Sequence, residues 1–168
     1  MTKESLISDF TEAKLLYYEP LNLEHGIKSN VYVDVKKAYG NPKLLHKMAG
    51  LMLRGLDKDT ASICVAGYGG APLGTAMSLQ SGLPLTLVRD KPKNHGAFEM
   101  ADGYLPQLGE KVSVVDDFFT SGRSLLQTVA TLHAIGAEVL GCHVVVARGD
   151  TTAFELPVSY LFGPEDIR

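Results

Sequence analysis

The stretch Val112 to Ser124, VSVVDDFFTSGRS, constrains this chain more than any other. Val112, Ser113, Val114 and Val115 form a nearly continuous apolar run, the kind that fills a buried strand. Two adjacent carboxylates, Asp116 and Asp117, close it. Phe118 and Phe119 follow, then the hydroxylated residues Thr120, Ser121 and Ser124 around Gly122. Beyond them Leu125, Leu126, Val129, Leu132 and Ile135 recur at the spacing of one helix face. The pattern predicts strand, turn and helix in that order, with both acids at the carboxyl end of the strand.

The same alternation runs through most of the chain. Short apolar runs at 61–67, 83–88 and 138–147 predict buried strands, and 41–56 predicts a helix with Pro42 at its start and Gly55 near its end. Residues 68–82 start as a glycine-rich turn and become a helix, with Pro72 expected in its first turn. Apolar positions from Thr2 to Tyr18 suit a helix face. Residues 29–36 alternate as a strand, with Val31, Val33 and Val35 on one side and Tyr32 and Asp34 on the other. Residues 89–103, RDKPKNHGAFEMADG, are polar and punctuated by Gly and Pro, so a long loop is expected there. Strands alternating with helices indicate an α/β fold with a central, mostly parallel sheet covered on both faces. Ligands in such sheets bind outside the carboxyl ends of the strands.

Composition narrows the function classes. The 168 residues favour one domain, and 45% hydrophobic with 21% charged residues is ordinary for a globular chain. A formal net charge of −3 and the lack of a basic run argue against nucleic acid as a partner. Gly, Pro and charges interrupt every apolar run, so no membrane span and a cytoplasmic location are expected. Cys64 and Cys142 sit in predicted strands with no CxxC spacing, which suits reduced core thiols better than a metal site. His46, His133 and His143 fall on predicted helices or strands and read as structural or surface residues.

The acids and the hydroxylated turn fit one ligand. A helix N-terminus offers free backbone N–H groups and a positive dipole end to a phosphate. Carboxylates repel phosphate but accept hydrogen bonds from hydroxyls. A sugar phosphate satisfies both, with vicinal hydroxyls on the acids and the phosphate on the turn. No GxxxxGK[ST] is present for a P-loop, and Pro72 stands where a dinucleotide fingerprint needs its third glycine.

Val112–Ser124 resembles the phosphoribosyl pyrophosphate (PRPP) motif of type I phosphoribosyltransferases: four mainly apolar residues, two acids, two apolar residues, then Thr and Gly. The segment Val88 to Gly96, VRDKPKNHG, resembles the catalytic loop of the orotate phosphoribosyltransferases. Residues 25–36 resemble that family's N-terminal base-binding segment through Lys28, Ser29, Tyr32 and Asp34. Arg148 occupies the place of an arginine on the orotate side, and 66–74 resembles the pyrophosphate loop. The sequence departs from the family pattern at Glu24, His25, Asn30, Gly69 and Asp90, each of which removes or alters a usual residue.

The resemblance implies a single phosphoribosyltransferase domain over 1–168, with 1–40 forming part of a hood over the base. It implies transfer of the phosphoribosyl group from PRPP to orotate, giving orotidine 5′-monophosphate and pyrophosphate. Lys93, His95, Asp116 and Asp117 are its catalytic residues. Arg89, Lys91, Lys93, His95, Gly69, Gly70, Asp116, Asp117, Thr120, Ser121, Gly122 and Ser124 bind PRPP. Lys28, Tyr32, Thr120 and Arg148 bind orotate. Mg²⁺ is the implied cofactor, held by PRPP and water without an all-protein site, and a homodimer is implied with the 89–103 loop reaching the neighbouring site. Two alternatives stay open on the sequence: transfer to another nucleobase, or a PRPP-sensing regulator without catalysis.

Overall fold

The computed structural model of the chain describes residues 2–17, 21–22, 28–29, 32–89, 100–163 and 166. Thr2 and Ser5 cap each other reciprocally and start helix α1 (Lys3–Glu12), which buries Leu6 and Phe10. The predicted helix stops short of Tyr18. Lys14 takes a positive φ of 53°, and Leu16–Tyr17 (β1) pairs antiparallel with Tyr32–Val33 (β4) instead. Leu21–Asn22 (β2) pairs with Lys28–Ser29 (β3) in the same way. The alternation over 29–36 is likewise divided. The Asp34 carboxylate accepts from Lys37 N at 3.0 Å, which ends the strand and starts a short helix α2 (Val35–Ala38). Helix α3 (Pro42–Leu53) begins with Pro42 in its first turn, as expected, behind an Asn41 cap.

A six-stranded sheet carries the core, in the order β10-β9-β8-β5-β6-β7. Its strands are β5 (Ser62–Ala66), β6 (Leu85–Val88), β7 (Ala101–Gly103), β8 (Lys111–Phe119), β9 (Glu138–Ala147) and β10 (Val158–Phe162). All pairs are parallel except β6 with β7. Sequence reading did not find the two edge strands. β7 has only three residues, inside a segment expected to be loop, and β10 lies beyond Arg148, where no element was expected. Helix α4 (Gly67–Ser81) joins β5 to β6, and helix α5 (Arg123–Ala134) joins β8 to β9. The chain leaves β5 toward one edge of the sheet and β8 toward the other. The switch point of the topology therefore lies between β5 and β8.

Helices cover both faces. On one, Leu6, Phe10, Met48, Leu73 and Met77 pack with Val115, Val145 and Phe162. On the other, Leu125, Val129 and Leu132 pack with Val112, Val114 and Val144. Val114 and Val115 thus face opposite layers, as the two-residue period of a strand requires. Cys64 and Cys142 are buried free thiols. Helix α4 already begins at Gly67, so Pro72 lies in its second turn rather than its first. No helix among the described residues is long and apolar enough to cross a membrane.

Candidate active site

Strand β8 is paired with β5 only as far as Val65↔Val115, whereas its pairing with β9 runs on to Phe119↔Ala147. Asp116 and Asp117 therefore lie within β8 rather than at its end. They stand where β5 has turned away into α4 and left that edge open. Their side chains diverge, as adjacent residues of a strand must. Asp116 lines a cavity of about 450 Å³ together with Gly67, Arg89, Ser124, Gln127 and Thr128. Asp117, only 7% exposed, turns toward the start of α4. A Cβ on Gly69 would stand 2.3 Å from Asp117 Oδ1, so only glycine admits the carboxylate there.

The acids are not electrostatically equal to exposed aspartates. Burial, and then the Asp117 charge, push the Asp116 carboxyl from 3.8 up to about 7, against the opposing pull of Lys36. Asp117 N donates to Asp116 Oδ1 at 2.9 Å. Lys36 Nζ approaches Asp117 Oδ2 at 3.6 Å, yet that oxygen has no hydrogen-bond partner. Tyr39 donates its hydroxyl to Gly69 O at 2.7 Å. Burial, with Asp117 and Asp116 beside it, raises the Tyr39 pKa, so it stays a donor.

Two helices begin beside the acids, and neither N-terminus is capped by a side chain. Each opens on a glycine with positive φ, Gly67 at 65° and Gly122 at 72°. The first four N–H groups of a helix have no partner within it, so the Gly69 amide has none in α4 while Gly70 falls where the ladder starts. Gly70 instead lets α4 approach β8, since a Cβ there would stand 2.5 Å from Val115 O. At the α5 end Thr120, Ser121 and Ser124 are exposed, and Gly122 is buried. A Cβ on Gly122 would meet the rings of Phe119 and Phe154 at 2.9 and 2.8 Å.

A third feature lies at the end of β9. The Arg148 guanidinium sits 5.0 Å from the Tyr32 ring centroid and 5.1 Å from that of Phe118. Its Nε and Nη2 are buried without a hydrogen-bond partner. Those two nitrogens share one edge of the guanidinium, the edge that binds a carboxylate through two parallel bonds. Burial lowers the Arg148 pKa, with Tyr32 opposing. Arg148 N donates to Phe119 O at 2.9 Å, and a Cβ on Gly149 would stand 1.8 Å from Thr120 O. The backbone at Arg148 and Gly149 is thereby locked against the start of the hydroxylated turn.

The structure thus brings Arg148 to Tyr32, and Asp116 to Ser124 and the Arg89 end of β6. Arg89 Nε donates to Asp102 Oδ2 at 2.5 Å, while Arg89 N donates to Met100 O, which closes the two stems of the 90–99 segment. Lys91, Lys93 and His95 lie outside the described residues, as does Asp90. Lys28 lies in β3. Sequence reading missed Lys36, Tyr39 and Asp102 as parts of the site, and only their tertiary neighbours mark them. His143 is buried in β9 against Ser159 Oγ at 2.6 Å, a structural setting away from the acids. Among the described residues no cluster of His, Cys, Asp and Glu could hold a metal ion.

Comparison with known proteins gives the same family by two routes. A phosphoribosyl transferase domain matches residues 38–160. An orotate phosphoribosyltransferase of Thermococcus kodakarensis is 34% identical over 97% of this chain and 89% of its own length. Among solved structures, a Mycobacterium tuberculosis orotate phosphoribosyltransferase in complex with Fe(III) dicitrate has a TM-score of 0.81 at 26% identity, covering 98% of each chain. The same enzyme in complex with PRPP gives 0.76 at 25%, again over 98% of each chain.

Proposed function

Because this chain belongs to the orotate phosphoribosyltransferases, we infer that the crevice between β5 and β8 is where it transfers the 5-phosphoribosyl group of PRPP to orotate, giving orotidine 5′-monophosphate and pyrophosphate. The observation that carries the choice of base is Arg148. A buried guanidinium edge with two unpaired donors, stacked between two aromatic rings, asks for a planar anion. Orotate is a planar ring bearing a carboxylate. Tyr32, Thr120 and Lys28 complete the base side, and residues 1–40 contribute part of the hood over the base in this reading of 1–168 as one domain.

The sugar and phosphates occupy the rest of the crevice. The uncapped start of α5, with Thr120, Ser121, Gly122 and Ser124, holds the 5-phosphate; the start of α4, through Gly69, holds pyrophosphate, with Gly70 allowing the close packing. Asp116 and Asp117 accept from the ribose hydroxyls. The C1′–O bond breaks with its electron pair leaving on pyrophosphate, through an oxocarbenium-like state, and a ring nitrogen of orotate bonds to C1′. Arg89, Lys91, Lys93 and His95 stabilise the leaving group from the loop. The unpartnered Asp117 Oδ2 suits water on a bound Mg²⁺. Such an ion, brought in by PRPP, would supply positive charge against the leaving pyrophosphate. A homodimer in which the 89–103 loop reaches the neighbouring site belongs to the same reading, supported by the loop's origin at the edge pair β6–β7.

The test follows orotate absorbance in the presence of PRPP and Mg²⁺, with a panel of purine and pyrimidine bases alongside. Loss of orotate with release of pyrophosphate is expected. Turnover of another base in its place would overturn the assignment of Arg148. PRPP binding without turnover of any base would favour the regulator.

A further inference from the structure

Lys36 has no part in the reaction just described, yet among the described residues it is the cation paired with Asp117. Its ammonium lies 3.6 Å from Asp117 Oδ2 and 5.8 Å from the Tyr68 ring centroid. That separation exceeds the ~2.7–2.9 Å of a charge-assisted hydrogen bond, so the pair is loose. The Lys36 side chain keeps 53% of its surface open, whereas Asp117 keeps 9%. An ammonium held this way retains donors for another anion.

The surroundings say which anion. Lys36 is carried by α2, whose following residue Tyr39 grips the carbonyl of Gly69. The carboxylate that Lys36 approaches leaves no room for a side chain on Gly69. The uncapped start of α4 therefore has no basic side chain of its own in its first turn, and Lys36 brings one to it from outside. A diphosphate beside two carboxylates needs positive charge. Among the described cations, Arg89 is engaged with Asp102 and Arg148 lies between Tyr32 and Phe118.

Resting on the function proposed above, we propose that Lys36 binds the pyrophosphate end of PRPP, exchanging its contact with Asp117 for one with the ligand. The rival role is neutralisation of Asp117 alone, and the two separate cleanly. Calorimetry of pyrophosphate with Mg²⁺ on the full chain is the measurement. Lys36→Gln should weaken binding about tenfold or more, and Lys36→Arg should stay within about threefold of the unmodified protein. Lys37→Gln, on the same helix but bonded to the Tyr17 hydroxyl, should change it less than about twofold. The Lys36→Gln loss should persist in an Asp117→Asn background. Disappearance of the loss in that background, or affinity of Lys36→Gln within about twofold of the unmodified protein, would overturn the proposal. The orotate assay keeps the two readings apart. Lys36-dependent pyrophosphate binding without orotate turnover would sink the base assignment and leave Lys36 standing. Absence of pyrophosphate binding by the unmodified protein would sink both.

Discussion

Replacing Asp116 with asparagine should make this protein more stable, and increasingly so as pH rises. The Asp116 carboxyl titrates near 7 in the fold and near 3.8 when free, chiefly because the crevice desolvates it. Below about pH 4 both states hold the proton and the site costs nothing. Between pH 4 and 7 the unfolded chain gives up that proton while the folded one keeps it, so stability falls as pH rises. Above pH 7 the loss is complete. At about 1.4 kcal/mol for each tenfold change in proton affinity, the gap sets an upper bound of about 4 kcal/mol. The Asp117 charge adds to that rise and the Lys36 charge opposes it, so a gain of about 1–3 kcal/mol for Asp116→Asn at pH 8 is the expected result. Asparagine keeps an oxygen for the Asp117 amide, so the backbone contact at 2.9 Å survives. Urea unfolding of both proteins at several values between pH 5 and 8.5 reads the difference directly, and turnover should be lost in the variant at every pH. A stability difference that stays flat with pH, or a variant less stable at pH 8, would refute the argument that burial dominates at Asp116.

Three further outcomes follow from the site. Arg148→Met keeps the stacking volume between Tyr32 and Phe118 but removes both buried donors; steady-state kinetics should show the orotate KM rising about 10- to 150-fold, with PRPP affinity unchanged. Gly69→Ala places a methyl group 2.3 Å from Asp117 Oδ1, so turnover should fall severely while the melting temperature changes little, because the carboxylate, not the core, must move. Lys93→Ala should slow turnover by about a hundredfold or more in single-turnover measurements without unfolding the protein, which circular dichroism checks.

The PRPP segment was legible because two periods meet in it. Val112–Val115 run almost continuously apolar as a buried strand and Leu125–Leu132 recur as a helix, so a turn had to lie between; that β8 runs on to Phe119 before it turns is set by its pairing with β9. The α/β architecture followed from the same alternation. Other features carried no such signal. β7 has three residues and exists through its pairing with β6, so no pattern of its own marks it. Residues 13–18 kept a helical spacing, but Leu16 and Tyr17 found partners in Val33 and Tyr32, and pairing outweighed propensity. The start of α4 looked like a turn because its glycines are there for the carboxylate of Asp117 and the carbonyl of Val115, not for flexibility. Arg148 and Tyr32 were both singled out on sequence, whereas their stacking, with Phe118 on the guanidinium as well, is a product of the folded sheet.

The divergence of Asp116 and Asp117 has a bearing on redesign. On the Asp117 side the start of α4 is closed, Gly69 against the carboxylate itself and Gly70 against Val115 O, and Gly149 is closed against Thr120 O. An engineer has no volume to trade at these three glycines, since an added carbon there displaces main chain or the Asp117 carboxylate. The rings on either side of Arg148 are side chains alone. Appetite for a different heterocycle is therefore best sought by varying Tyr32 and Phe118, with the phosphoribosyl donor's seat left untouched.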